Sequence, residues 1–272
     1  MTALNQSRYK ALRLFLAVIL LFMTINWFLP SMISTYDQLI VYRPLALIPL
    51  AFLLHRRMNG SESRFWQRPP FPRLLMLPSL IASLIVLTPI PIGFLLGGLN
   101  FTYGMRGFDH PYMRFILPLH FLIMLFANLF GTEPIFRRQW FSLSEQLRMH
   151  PAVANLIQAV VAAGSTGIAV RSWLDTAEPN FGLWVITIDG LTALLGGLIF
   201  LRQRSIWASA LFVTVVSFVR MIVINDIDTG LETAHYYVTA SELIPWITIA
   251  TYFVAGVTVF ALSRASGKGA AG

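Results

Sequence analysis

The sequence predicts an all-α polytopic integral membrane bundle, and three observations carry that prediction. The 272 residues are 56% hydrophobic and only 12% charged, roughly half the charged share of a soluble domain. Apolar stretches long enough to cross a bilayer as helices, about 20 residues each, recur about eight times. Basic residues gather in alternate connections, the bias that orients membrane helices. Together these give about eight transmembrane helices with both ends in the cytoplasm, N-in and C-in.

The elements follow in order. The first span covers residues 11–29 and stops at Pro30. Arg8, Lys10 and Arg13 start it like a signal peptide, but no small-residue cleavage site follows, so it is read as a retained signal-anchor. Residues 31–37 carry no Lys or Arg and form an outer loop. The second span is 38–54. Segment 55–73 holds Arg56, Arg57, Arg64, Arg68 and Arg73 and belongs inside. The third span, 74–99, contains Pro78, Pro89 and Pro91, which predicts a kink or break near residues 88–93.

The fourth span is 115–130. Segment 132–150 is read as an inner connection holding Arg137, Arg138 and Arg148. The fifth span is 152–170. The sixth, 182–201, turns back through Arg202-Gln203-Arg204 into the seventh, 206–224. The eighth is 243–262, before a Gly- and Ala-rich tail with Arg264 and Lys268. Acidic residues run the opposite way: Asp37, Asp109, Asp175, Glu178, Asp226, Asp228, Glu232 and Glu242 all fall outside. Trp27, Trp173, Trp184, Trp207 and Trp246 lie near span ends, where interfacial aromatics sit.

The spans divide into two four-helix halves, residues 1–150 and 151–272. An equal, even count gives both halves the same orientation, as in a parallel repeat. Ala159, Ala163 and Gly167 recur every four residues, as do Ala193 with Gly197 and Gly93 with Gly97. Small residues at this spacing let helix backbones approach closely, inside one chain or across a dimer seam.

Composition excludes several chemistries. There is no cysteine, hence no disulfide, thiolate-held cluster or thiol nucleophile. Lys10 and Lys268 are the two lysines, both outside spans, so no intramembrane Schiff base is available. No His-Glu-x-x-His, Gly-x-Ser-x-Gly or phosphate-cradling loop occurs. Membrane haem b requires paired histidines on spans, and His120 alone lies well inside one. The net charge of +8 sits in short loops, so it marks topology and not nucleic-acid binding.

Charges inside apolar stretches carry the site hypothesis. Arg43, Asp189 and Arg220 fall in the outer half of the second, sixth and seventh spans. Each costs about 2.5 kcal/mol or more facing lipid at mid-depth, so each is expected to face the bundle interior. Asp189 lies about 13 residues before the 202–204 turn and Arg220 about 16 after it, a depth difference of about 5 Å. This predicts an Asp189–Arg220 ion pair that ties helices together or serves function. Arg43 has a second option, reaching the outer headgroups. Thr214, Ser217 and Arg220 share one helix face, and Asn155 with Gln158 places amides in the fifth span; these line a polar interior.

The outer loop 225–235 offers Asp226, Glu232 and His235 as metal ligands, with His110 from another loop. Glu232 and His235 stand three apart, on one face of a helix. Thr229 with Glu232 equally has capping-box spacing, so a capped surface helix competes with a metal site.

Residues 182–246 combine Asp189-Gly190, Gly196-Gly197, an Arg-containing inner turn, Phe218-Val219-Arg220, an acidic loop from Asp226 to Gly230, and Glu242 opening the last span. This pattern resembles the DoxX-like group of small four-helix membrane proteins; it covers about a quarter of the chain, within the second half, and departs from that group by the four spans in front. The resemblance implies that Asp189, Arg220 and Glu242 form the polar centre of a four-helix unit. Some members of that group are subunits of quinone-reducing oxidoreductases.

The leading expectation is a bacterial inner-membrane protein acting as a non-catalytic binding or accessory component. Arg43, Asp189, Arg220 and Glu242 would form its binding or coupling cluster. Its partners would be the lipid bilayer and other membrane subunits or a second copy, with no nucleic acid. No cofactor is required, and a divalent metal or a quinone are the two that the residues leave open. Two rivals stand beside it. One is a small-solute or proton-coupled transporter using Asp189, Arg220 and the broken third helix. The other is a membrane enzyme with the outer Glu232–His235–Asp226 metal site.

Overall fold

The computed structural model describes residues 3–28, 36–57, 71–96, 99–101, 113–169, 179–223, 237–239 and 243–268. The chain runs α1 (Ala3–Phe28), α2 (Tyr36–Arg57), α3 (Phe71–Leu87), α4 (Pro89–Leu95), β1 (Leu99–Phe101) and α5 (Met113–Ala127). Two π-helical stretches, Asn128–Thr132 and Pro134–Gln139, lead directly into α6 (Trp140–Gln146). Then come α7 (Pro151–Ala169), α8 (Pro179–Gln203), α9 (Ile206–Val223), β2 (Tyr237–Thr239) and α10 (Leu243–Lys268). Among the described residues the fold is helical apart from β1 and β2, which pair antiparallel with Asn100 opposite Val238.

Local chemistry accounts for the boundaries. Pro89, Pro151 and Pro179 open α4, α7 and α8, at the first helical position where a missing N–H costs nothing. The break expected in the third span is present: α3 ends at Leu87, and Thr88 forms the turn before α4. Arg148 and Arg204 have positive φ, 57° and 51°, and each closes a helix. The Arg148 and Met149 amides donate to the Glu145 and Ser144 carbonyls at 2.9 Å, a Schellman closure of α6. The Arg204 amide donates to the Phe200 carbonyl at 2.7 Å and ends α8. These tight turns set α6 against α7 and α8 against α9.

Among the described residues four stretches are long and apolar enough to cross a membrane: Met76–Gly93, Pro118–Gln146, Pro151–Ala169 and Leu183–Gln203. Leu12–Phe28, Ile206–Phe218 and Trp246–Ala261 are shorter apolar helices. The second of the four corrects the sequence reading. The helix does not stop near Phe130; the stretch that begins at Pro118 runs 29 residues to Gln146, and Arg137 and Arg138 lie buried within it instead of in a connection.

The bundle is apolar outside and polar inside. Leu20, Leu122, Val160, Leu183 and Phe253 are exposed, while Asn128, Glu133, Arg137, Asn155, Gln158 and Thr214 are buried. Oil-facing surfaces gain nothing from further apolar burial, so such helices associate through close packing and hydrogen bonds. The α7–α8 contact is the most extensive and uses the small-residue stripe. A Cβ on Gly190 would stand 3.1 Å from the Ala163 Cβ, and one on Gly167 would stand 3.2 Å from Ile186. The stripe therefore packs within the chain. One apolar cluster joins Phe22, Leu47, Trp140 and Phe200; a second joins Ile81, Val185, Phe212 and Tyr252. Both draw on residues from before and after His150.

Candidate functional site

Two ion pairs, one half-buried and one fully buried, border one interior cavity. Arg43 enters from α2 and Asp189 from α8. The Arg43 Nη2 donates to Asp189 Oδ2 at 3.0 Å, and its Nη1 donates to Thr166 Oγ1 of α7 at 2.8 Å. The Thr166 hydroxyl donates in turn to Asp189 Oδ2 at 2.7 Å. Three helices thus close a triangle around one carboxylate oxygen.

The second pair lies nearer the end of the bundle holding the 147–150 and 204–205 turns. Glu133 and Arg137 stand one turn apart, with Arg137 Nε 2.9 Å from Glu133 Oε2, and both are almost fully buried. Arg137 also donates to Ser209 Oγ at 2.9 Å and Gln158 Oε1 at 2.6 Å. Gln158 donates to Asn155 Oδ1 at 2.6 Å and to the Ala193 carbonyl at 3.1 Å. Asn155 donates to the Leu194 carbonyl at 3.0 Å, and Ser209 to the Gly196 carbonyl at 3.1 Å. The amides expected to line the interior therefore do so, by holding Arg137 against the backbone of α8. That approach needs Gly196 and Gly197: a Cβ on Gly197 would overlap Asn155 Oδ1 and Gln158 Nε2.

Glu133 differs from its partner in how it is served. Its Oε2 is close to Arg137 Nε, yet that N–H is directed at Ser209, and neither Glu133 oxygen receives a hydrogen bond. The neighbouring Thr132 hydroxyl is also buried without a partner. The contact is mainly Coulombic, since the N–H is bent away from the carboxylate and a hydrogen bond weakens steeply when bent. Buried polar atoms are nearly always partnered, so three orphan oxygens on adjacent residues require an explanation.

The cavity supplies one. Glu133, Thr132, Arg137, Arg43, Asp189 and Ser217 all line an interior space of about 70 Å³. A buried water needs roughly 10–15 Å³ of such space and polar neighbours, so a few waters fit. Glu133 also sits between the two π-helical stretches. Pro134 cannot donate to the carbonyl four residues back and its ring crowds that carbonyl; the wider π register accommodates it. Such insertions recur at functional sites. Gly131 brings this segment onto α2: a Cβ there would collide with the Pro44 carbonyl, next to Arg43.

Of the residues expected at the site, Arg43 and Asp189 are brought together. The side chains of Arg220 and Glu242 lie outside the described residues, and so does the Asp189–Arg220 pair. Asp226, Glu232, His235 and His110 also lie outside them. Among the described residues no three His, Asp or Glu side chains are grouped to hold a metal. Glu133, Arg137, Asn128 and Ser209 were not singled out by sequence. The signal for the first two was their i,i+4 spacing with opposite charge. Comparison with known protein families, curated proteins and solved structures finds no match.

Proposed function

We propose that this chain is a multi-pass inner-membrane protein, bacterial in type, with about eight spans and both ends in the cytoplasm, that works as a proton-coupled carrier of a small solute. The observation carrying this reading is the buried Glu133 carboxylate, paired with Arg137, on a cavity it shares with Asp189. Ionisable groups inside membrane spans mark ion and proton paths by default. Each carboxylate faces an arginine. A proton arriving on Glu133 cancels its half of the pair and leaves Arg137 held by Ser209 and Gln158 alone. The same event at Asp189 leaves Arg43 held by Thr166. The two pairs thereby offer successive proton-exchanging steps along the bundle, and α2, with Pro44 and Pro49 inside it, is the element whose position responds.

The test uses purified protein in liposomes containing a pH-sensitive dye, with a potassium diffusion potential imposed. With a mixture of small solutes supplied outside, wild type acidifies the lumen faster than empty liposomes, and Asp189→Asn, still folded by circular dichroism, does not. Wild-type flux equal to that of empty liposomes, or full flux through Asp189→Asn, removes the reading.

The non-catalytic accessory component is the second reading. It is favoured by the Arg137 network, whose partners come from two other helices and resemble a structural pin. Here the ion pairs only fix helix order, and neutralising both members of a pair leaves function intact. The partner would be another membrane subunit, recovered by co-purification from mild detergent. The DoxX-like resemblance is compatible with either reading.

A further inference from the structure

We propose that the solute taken into the interior cavity is a small uncharged carboxamide, a flat molecule that brings its own N–H donors. This deepens the carrier reading above and rests on it. Arg43, Arg137, Glu133 and Asp189 all line the space, so among the described residues the formal charges on its wall cancel. A charged solute would enter the interior without a counter-charge, a costly state. An uncharged one preserves the balance.

The wall atoms still unserved set what the solute must carry. Glu133 is 0% exposed, and its Oε1 and the Thr132 Oγ1 are buried without a partner. An ionised carboxylate only accepts, so the occupant has to donate there. Arg43 spends two of its five N–H groups on Thr166 and Asp189 among the described residues, which leaves donors on the same wall for a carbonyl oxygen. A carboxamide carries both kinds of group on one frame: its two N–H bonds serve Glu133 Oε1 and Thr132 Oγ1, and its C=O accepts from Arg43. Phe22 and Phe136 line another part of the wall, edge to face at 4.7 Å, and suit a small apolar substituent. The space is about 70 Å³. At roughly 10–15 Å³ for each water-sized position, it admits a molecule of about four to six non-hydrogen atoms. A solute N–H on Glu133 Oε1 and a proton on that oxygen exclude each other, so loading the solute and loading the proton are linked at this carboxylate.

Four probes of one shape and size separate the possibilities: acetamide, acetone (no donor), acetate (anionic, no donor) and acetamidinium (cationic donor). Saturation-transfer NMR on the full chain in micelles, with empty micelles as the blank, measures each at neutral pH. Acetamide is expected to bind with a Kd of about 1 mM, a strength open to so small a ligand, and the other three at least about tenfold more weakly, the loss of one well-made hydrogen bond. Thr132→Val replaces an unpartnered hydroxyl with a methyl, so it should melt no lower than wild type and weaken acetamide about two- to tenfold. Acetone held as tightly as acetamide would mean apolar partition. Tighter acetamidinium or acetate would assign a cation or an anion site. Either result, or unchanged acetamide binding in Thr132→Val, overturns the proposal. So does a wild type that binds no acetamide; if the liposomes still show Asp189-dependent proton flux, the solute class falls and the carrier reading stands, and if they do not, both fall.

Discussion

Neutralising one or both members of the Glu133–Arg137 pair gives a prediction whose size follows from burial. Both side chains are nearly inaccessible, so Glu133→Gln leaves a buried guanidinium without a counter-charge, a loss of about 3–5 kcal/mol. Arg137→Met leaves the carboxylate without its cation and strands Gln158 Oε1, while Ser209 keeps its bond to the Gly196 carbonyl; it costs a similar amount. If the two effects were independent, the double variant would lose about 6–10 kcal/mol. Removing both charges instead removes the desolvation cost of each, and such replacements are often neutral or stabilising. The stranded Gln158 carbonyl takes back about 1–3 kcal/mol. Glu133→Gln/Arg137→Met is therefore expected within about 3 kcal/mol of wild type, with a coupling of at least about 3 kcal/mol. Reversible unfolding in mixed micelles, followed by circular dichroism for all four proteins, measures the cycle. Additive losses would refute a functional unit built from this pair.

Further predictions concern the close contacts and the second pair. Gly131→Ala sets a methyl against the Pro44 carbonyl and is expected to lower stability by about 1–3 kcal/mol, read from the same unfolding curves. Gly197→Ala drives Asn155 and Gln158 off the α8 backbone, with a loss of about 1–3 kcal/mol. It should also accelerate amide exchange at the Arg202–Arg204 end of α8, measured by mass spectrometry. Asp189→Asn weakens the charged hydrogen bonds from Arg43 and Thr166 and is expected to cost about 1.5–3 kcal/mol. Thr166→Val, removing the bridging hydroxyl, should cost less than Asp189→Asn; the opposite order contradicts the triangle. Trp140→Phe deletes the 2.8 Å donation from Nε1 to the Ala154 carbonyl and should cost about 1 kcal/mol.

Much of the helical class was readable because lipid imposes a simple rule, long apolar stretches between polar connections. Arg43 and Asp189 could be found as interior charges because each is alone in its stretch. Asp189 has a partner that sequence adjacency did not point to: Arg43 arrives from a helix 146 residues away in sequence, a tertiary fact, while the Asp189–Arg220 pair lies outside the described residues. The hidden part lies between Thr132 and Gln146. Hydropathy scores each residue by itself, so Glu133, Arg137 and Arg138 read as a polar connection. In the fold their charges and donors meet Glu133, Ser209, Gln158 and His55, and the summed polarity presented to the surroundings is small. Pro134 added to the error, since proline usually ends a helix and here sits at the start of a π-helical turn. The absence of any Gly-, Pro- or Asn-rich turn between Gln139 and Gln146 was the available counter-signal.

The most direct measurement of the central claim is whether water reaches the cavity beside Glu133. The chain has no cysteine, so single thiols can be placed without altering anything else. Thr132→Cys is expected to react in intact membranes with a small water-soluble thiol reagent, because its side chain borders the cavity. Ala127→Cys, in the dry apolar packing, is expected to stay unlabelled. Equal protection of both positions in folded protein would mean that no water enters, and the interior ion pairs would then serve only to hold the helices together.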